Sequence, residues 1–200
     1  MIALPPNTPD TIAQLAQRAA AHIQQRFGLT PDITDDTLPL LDAFTEAVVC
    51  EENRGEVPEP GHVVRHNMVE LFAPSFGALF GITLASTFGA DWRGPSAEPA
   101  KWRLEFRDFF LRINPAGLAA HAIVRAPLPE WPGTLQTAPS LTEHLEERLR
   151  LAPGVPEDQF FSLETAWESI QIAADYLRER AKKDGAIECS EAAYATILGQ

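Results

Sequence analysis

His62, His66 and Glu70 fall four residues apart, and on a helix that spacing sets two imidazoles and a carboxylate along one face. Two histidines one turn apart can share a transition metal through neutral ring nitrogens, with Glu70 as a third ligand or as a general base. Val64, Met68 and Leu71 lie on the opposite, apolar side. A closed tetrahedral site needs another donor, and Cys50, Glu51 and Glu52 are the nearest in the chain. The competing reading is a solvated face near a helix start, where polar residues are ordinary.

A second chemical feature is Trp131, held between Pro129 and Pro132 in a stretch from Pro127 to Pro139 that contains four prolines. In a loop, a tryptophan offers a large rigid surface to a partner, so Trp131 is the candidate interaction residue. Trp92 and Trp102 fall nearby and could join it around a pocket, although Trp102 belongs to the inward set of a strand. His22, His121 and His144 are each solitary within helical patterns, and ordinary surface or hydrogen-bonded roles suffice for them.

Familiar catalytic spacings are missing. The chain has no GxxxxGK, GxGxxG, GxSxG or HExxH, which removes the usual phosphate-loop, dinucleotide, serine-hydrolase and zinc-protease readings. Its 16 Lys and Arg stand against 28 Asp and Glu, a formal charge of -12. Such a surface repels nucleic acid and anionic lipid, and it favours a basic protein as partner. Cys50 and Cys189 lack CxxC spacing, so they read as free thiols rather than as a disulfide framework or zinc knuckle. The start MIALPPNTPD has no basic n-region and no apolar h-region, and the chain reads as cytoplasmic and bacterial in style.

The elements that must position these residues follow from periodicity. With 200 residues, 45% of them hydrophobic, the chain suits a single domain with one core. Thr8-Pro9 predicts a helix start, and Ile12, Leu15, Ala16, Ala19, Ile23 and Phe27 carry the apolar stripe to Gly28. Leu38, Leu41, Phe44 and Val48 form a second stripe, and the two helices are expected to pack as a hairpin over about residues 9–54.

From Leu71 to Phe88 no residue is charged, a length that reaches the minimum for a membrane span. Pro74, the glycines and hydroxyls inside it, and the acidic flanks Glu70 and Asp91 favour a core helix instead. Pro74 predicts a kink, or two helices meeting near Ala73. Gly77, Gly81 and Ala85 repeat every four residues, so one face admits another backbone closely.

Past Gly89 the period becomes two. Trp102, Leu104 and Phe106 alternate with charged residues, and Phe109, Leu111 and Ile113 repeat the alternation, which predicts a hairpin turning near Arg107 and Asp108. Ala90 to Arg93 could add a third strand. Asn114-Pro115 predicts a short helix, residues 126–139 a loop, and Ser140 to Glu143 a capping box. Ser162 opens a helix whose Leu163, Trp167, Ile170, Ala174, Leu177 and Ala181 form a heptad seam, and Ser190 opens a last one.

The expected fold class is therefore α+β, predominantly helical. Six to seven helices surround a central apolar helix, with a two- to three-stranded antiparallel sheet in mid-chain. The expected function is a soluble, non-catalytic protein-binding module of the adaptor, regulatory-subunit or toxin-neutralising kind, acting through its acidic surface on another protein. The alternative is a metal-dependent enzyme or metal-binding protein using His62, His66 and Glu70, with a transition metal as its only implied cofactor.

Overall fold

A computed structural model describes residues 2–52, 66–94, 98–151, 154–156, 159–185 and 187–199, with backbone alone for 48–52 and 66–67. Among the described residues there are seven α-helices and one four-stranded antiparallel sheet, so the fold is predominantly helical α+β.

Helix α1, Asp10–Phe27, buries Ile12, Ala16, Ala19, Ala20 and Ile23 along one stripe. It starts one residue later than the cap signal implied. Pro9 occupies the cap position, while the Thr8 hydroxyl donates to the Pro5 carbonyl at 2.8 Å. Gly28 ends the helix at φ 70°, a left-handed conformation that glycine adopts without steric cost. Helix α2, Leu38–Glu52, follows a 3-10 turn, Asp35–Thr37, and buries Leu38, Leu41 and Phe44. The expected α1/α2 hairpin is a minor contact, because α1 packs mainly on α3.

Helix α3, His66–Phe88, is one helix with Pro74 inside it, not two helices meeting near Ala73. It is long and apolar enough to cross a membrane by composition, yet 67% of the Met68–Phe88 window is buried within the protein. Its small-residue face meets α4, Pro115–Val124. A Cβ at Gly77 would fall on the Ala116 backbone, and one at Gly81 would meet the Trp92 ring at 2.5 Å. The glycine spacing therefore marks the central crossing of the core.

The sheet runs in the order β1 (Ala90–Arg93), β2 (Arg103–Phe106), β3 (Leu111–Ile113), β4 (Gln136–Thr137). Alternation predicts β2 and β3, and β1 is the third strand that Ala90 to Arg93 could add. The fourth lies inside the stretch expected to be loop, and two residues are too few for periodicity to register. It is fixed by side chains: the Thr137 hydroxyl donates to the Phe110 carbonyl at 2.7 Å, and Arg112 Nε donates to Gln136 Oε1 at 2.8 Å.

Helix α5, Pro139–Arg150, does not use the Ser140–Glu143 capping box. Ala138 sits at the cap position and Pro139, with its preset φ, begins the helix. Helix α6, Leu163–Asp184, buries Leu163, Trp167, Ile170, Ala174 and Leu177 inside the chain, so most of the heptad seam serves the domain core. Helix α7, Glu191–Leu198, is pinned by Tyr194. The phenol oxygen accepts from Leu111 N–H at 2.9 Å and lies at hydrogen-bond distance from the Phe106, Phe109 and Leu111 carbonyls.

Candidate functional site

A concavity opens among the described residues between α2 and α6, with Ala122 and Arg125 from the end of α4 also in its lining. Its construction begins at the start of α6, where the first amides have no helical acceptor. Ser162 serves as the helix's own cap, its Oγ accepting from Thr165 N–H at 3.0 Å. The two preceding amides are satisfied from another helix. Asp42 on α2 accepts from Leu163 N–H through Oδ1 at 2.8 Å and from Glu164 N–H through Oδ2 at 3.0 Å. The carboxylate thus caps, across 121 residues of chain, a helix end that carries partial positive charge.

Despite these bonds, burial pushes the Asp42 carboxyl up to about 6; the Leu163 and Glu164 amides pull the other way, and the Glu164 charge adds to the rise. Desolvation wins because its cost to the ionised form exceeds what the two amides return.

The cleft holds about 930 Å³. Asp42 and Glu46 come from α2, and Glu164 and Glu168 from α6, with Arg125 as the cationic side chain among the lining residues. Arg125 closes α4 at φ 55°, and its Nη2 lies 3.6 Å from Glu46 Oε1, so its charge is already matched. Pro39, Phe161 and Ile172 supply apolar wall, and Phe160 stands beside Phe161 with ring centroids 5.1 Å apart and 60% of its surface exposed.

The hydroxyls near Asp42 are engaged in local structure: Ser162 Oγ bonds Thr165, and Thr165 Oγ1 donates to the Gln159 carbonyl at 2.9 Å. Among the described residues that line the cleft there is no histidine or cysteine, and so no hydroxyl paired with an imidazole or thiolate.

The residues singled out from sequence lie elsewhere. His62 is outside the described residues, and His66 begins α3 with its side chain undescribed. Glu70 is exposed on α3, which does not line the cleft. Among the described residues no three His, Cys, Asp or Glu side chains gather closely enough to hold a metal ion.

Trp131 does not stand on an exposed loop. It is 7% exposed and belongs to the hydrophobic core, so it does not present a docking anchor. A turn closed by Trp131 N–H to the Leu128 carbonyl at 3.0 Å folds the proline stretch back, and Pro132 packs its backbone on Gly117 of α4. Trp92 and Trp102 form an edge-to-face pair at 5.9 Å rather than the wall of an open pocket around Trp131, with Trp102 fully buried.

The other histidines do not line the cleft. His22 packs edge-on against Phe72, and His144 is exposed. His121 lies against Phe161 and Gly133, where burial pushes its pKa down, and its Nε2 is buried without a partner among the described residues.

Sequence reasoning did not single out Asp42. A lone aspartate within an apolar helical stripe carries no spacing signal, because the amides it meets lie in a distant segment.

Compared with known proteins, the chain matches no family model, no curated protein sequence and no solved structure.

Proposed function

We propose that this chain is a non-catalytic binding protein that holds a basic segment of another protein in the cleft between α2 and α6. The observation that carries the reading is the charge of the walls. Four carboxyl groups face one guanidinium, and that guanidinium is paired with Glu46. Carboxylates gathered in a concavity focus negative potential and attract a cation from solution. Pro39, Phe161 and Ile172 give the aliphatic stem of an arginine or lysine an apolar bed while its head remains among the carboxylates. Phe160, exposed beside Phe161, offers a ring face on which a guanidinium stacks.

The test is calorimetric titration with an arginine-rich peptide at low and high salt. The comparison is between the native chain, a Glu46→Gln/Glu164→Gln/Glu168→Gln variant, and a Glu143→Gln/Glu147→Gln variant altered on exposed α5. Binding should weaken steeply with salt, be lost in the first variant and persist in the second. Equal binding by both variants would reduce the effect to overall acidity and remove the cleft from the account.

A further inference from the structure

Although the chain carries net negative charge, the open end of the β2–β3 hairpin gathers cations. A cleft of about 380 Å³ there is lined by Lys101, Arg103, Arg112, Asn114, Thr134 and Gln136. Its polar groups divide into those already engaged and those held ready. Asn114 is spent: its Oδ1 accepts from Gly117 N–H at 3.0 Å and its Nδ2 donates to the Ala100 carbonyl at 2.7 Å. Lys101 Nζ is paired with Glu98 at 2.6 Å.

Arg112 is buried and fixed by three neutral acceptors. Its Nε donates to Gln136 Oε1 at 2.8 Å, Nη1 to the Gly199 carbonyl at 2.9 Å and Nη2 to the Leu198 carbonyl at 3.3 Å. These bonds orient the guanidinium without neutralising it, and they leave part of its donor set unused.

Arg103 sits directly opposite Arg93 in the β1/β2 register, a like-charge pairing that destabilises a sheet. It also lies close enough to Arg112 to oppose that residue's charge, which burial already disfavours. Two carboxylates share this face: Glu105, opposite Arg112 in register, is engaged by Arg93 at 3.3 Å, and Asp91, opposite Glu105, lies 3.8 Å from both Arg93 and Arg107. Among the described residues no carboxylate stands within 4.0 Å of the Arg103 guanidinium. Glu105 offsets part of this charge, but its closest pairing is with Arg93, so positive charge remains concentrated between Arg103 and Arg112 in a concavity with rigid donors and, among the described residues, no carboxylate in direct contact with either guanidinium.

We infer that this cleft binds a small oxyanion, a phosphoryl or carboxylate group, between Arg103 and Arg112. Both groups match the forked donors of a guanidinium, and either would relieve the repulsion that the strand pairing imposes.

The experiment follows thermal unfolding and the arginine Nε–H NMR signals while inorganic phosphate or succinate is added at constant ionic strength. The native chain is compared with Arg103→Gln and with Lys182→Gln, an exposed control. One anion or both should produce a saturable rise in Tm and shift the Arg103 and Arg112 signals in the native chain and in Lys182→Gln. Binding by Arg103→Gln should be roughly tenfold weaker or worse, as expected for loss of a charge-assisted bond. Without added anion, Arg103→Gln should be at least as stable as the native chain. A response to phosphate alone assigns a phosphoryl group, and a response to succinate alone a carboxylate. Overturning results are unshifted Arg103 and Arg112 signals with both anions, or equal Tm rises in Arg103→Gln and the native chain.

Discussion

Two helix pairs in this protein face each other on opposite terms. Helices α3 and α4 meet where Gly77 lets backbone lie against the Ala116 backbone, and one turn on, Gly81 is covered by the Trp92 ring and the Pro115 ring. Helices α2 and α6 are joined at the Asp42 cap but otherwise leave a cleft whose walls carry carboxylates. Small residues close one interface, while the other is bridged at one edge by a long-range polar contact and lined beyond it by acidic side chains. The proposed function assigns the first to the scaffold and the second to recognition.

The largest expected effect comes from breaking the closed pair. Gly77→Leu drives a side chain into the Ala116 backbone, which cannot move aside as a side-chain tip would, and should cost about 3 kcal/mol or prevent folding. Urea denaturation measures it.

The open pair should respond to pH. The folded Asp42 carboxyl titrates near 6 against an ordinary 3.8, so the folded state binds more protons than the unfolded state across that window. Asp42's contribution is thus fullest below pH 4 and declines as pH rises through 6, by on the order of 2–3 kcal/mol. Asp42→Ala leaves the Leu163 and Glu164 amides uncapped. Its penalty should be greatest in acid and shrink as pH rises, and parallel denaturation curves at pH 4 and 8 would reveal this. A penalty that grows with pH would contradict the assignment.

Tyr194→Phe should come next, at about 1 kcal/mol, because the buried hydroxyl that ties α7 to Leu111 N–H and the neighbouring carbonyls is lost, while the Leu111 amide keeps the Phe109 carbonyl at 2.9 Å. The ring stacking on Phe110 at 4.2 Å survives, so protection from hydrogen exchange should fall chiefly in α7. Smallest is Glu168→Gln, on an exposed position of α6. Stability should stay within about 0.5 kcal/mol while affinity for a basic peptide falls.

The same contrast explains what the sequence made legible. The closed pair announces itself locally: Gly77 and Gly81 are four apart, and the seam from Leu163 to Leu177 repeats at helical spacing, so both buried faces can be read from residue spacing alone. Strand alternation around Trp102, Leu104 and Phe106 did the same for the hairpin. The site was not legible, because Asp42, Arg125 and Glu164 come from three separate segments and are united only by folding. His62, His66 and Glu70 had local spacing but no gathering of ligands among the described residues. Trp131 misled for the converse reason. Prolines around a tryptophan suggest an exposed loop, whereas a turn at Leu128–Trp131 and the bare Gly117 backbone let this one fold into the core.

The binding account is tested most directly by following the Asp42 side-chain carboxyl by carbon NMR across pH 4–8, with and without an arginine-rich peptide. A cation seated in the cleft favours the ionised carboxylate, so the midpoint should move down from about 6 and peptide affinity should rise with pH through that range. An unchanged Asp42 midpoint at saturating peptide would place the bound cation elsewhere and contradict the assignment of the cleft.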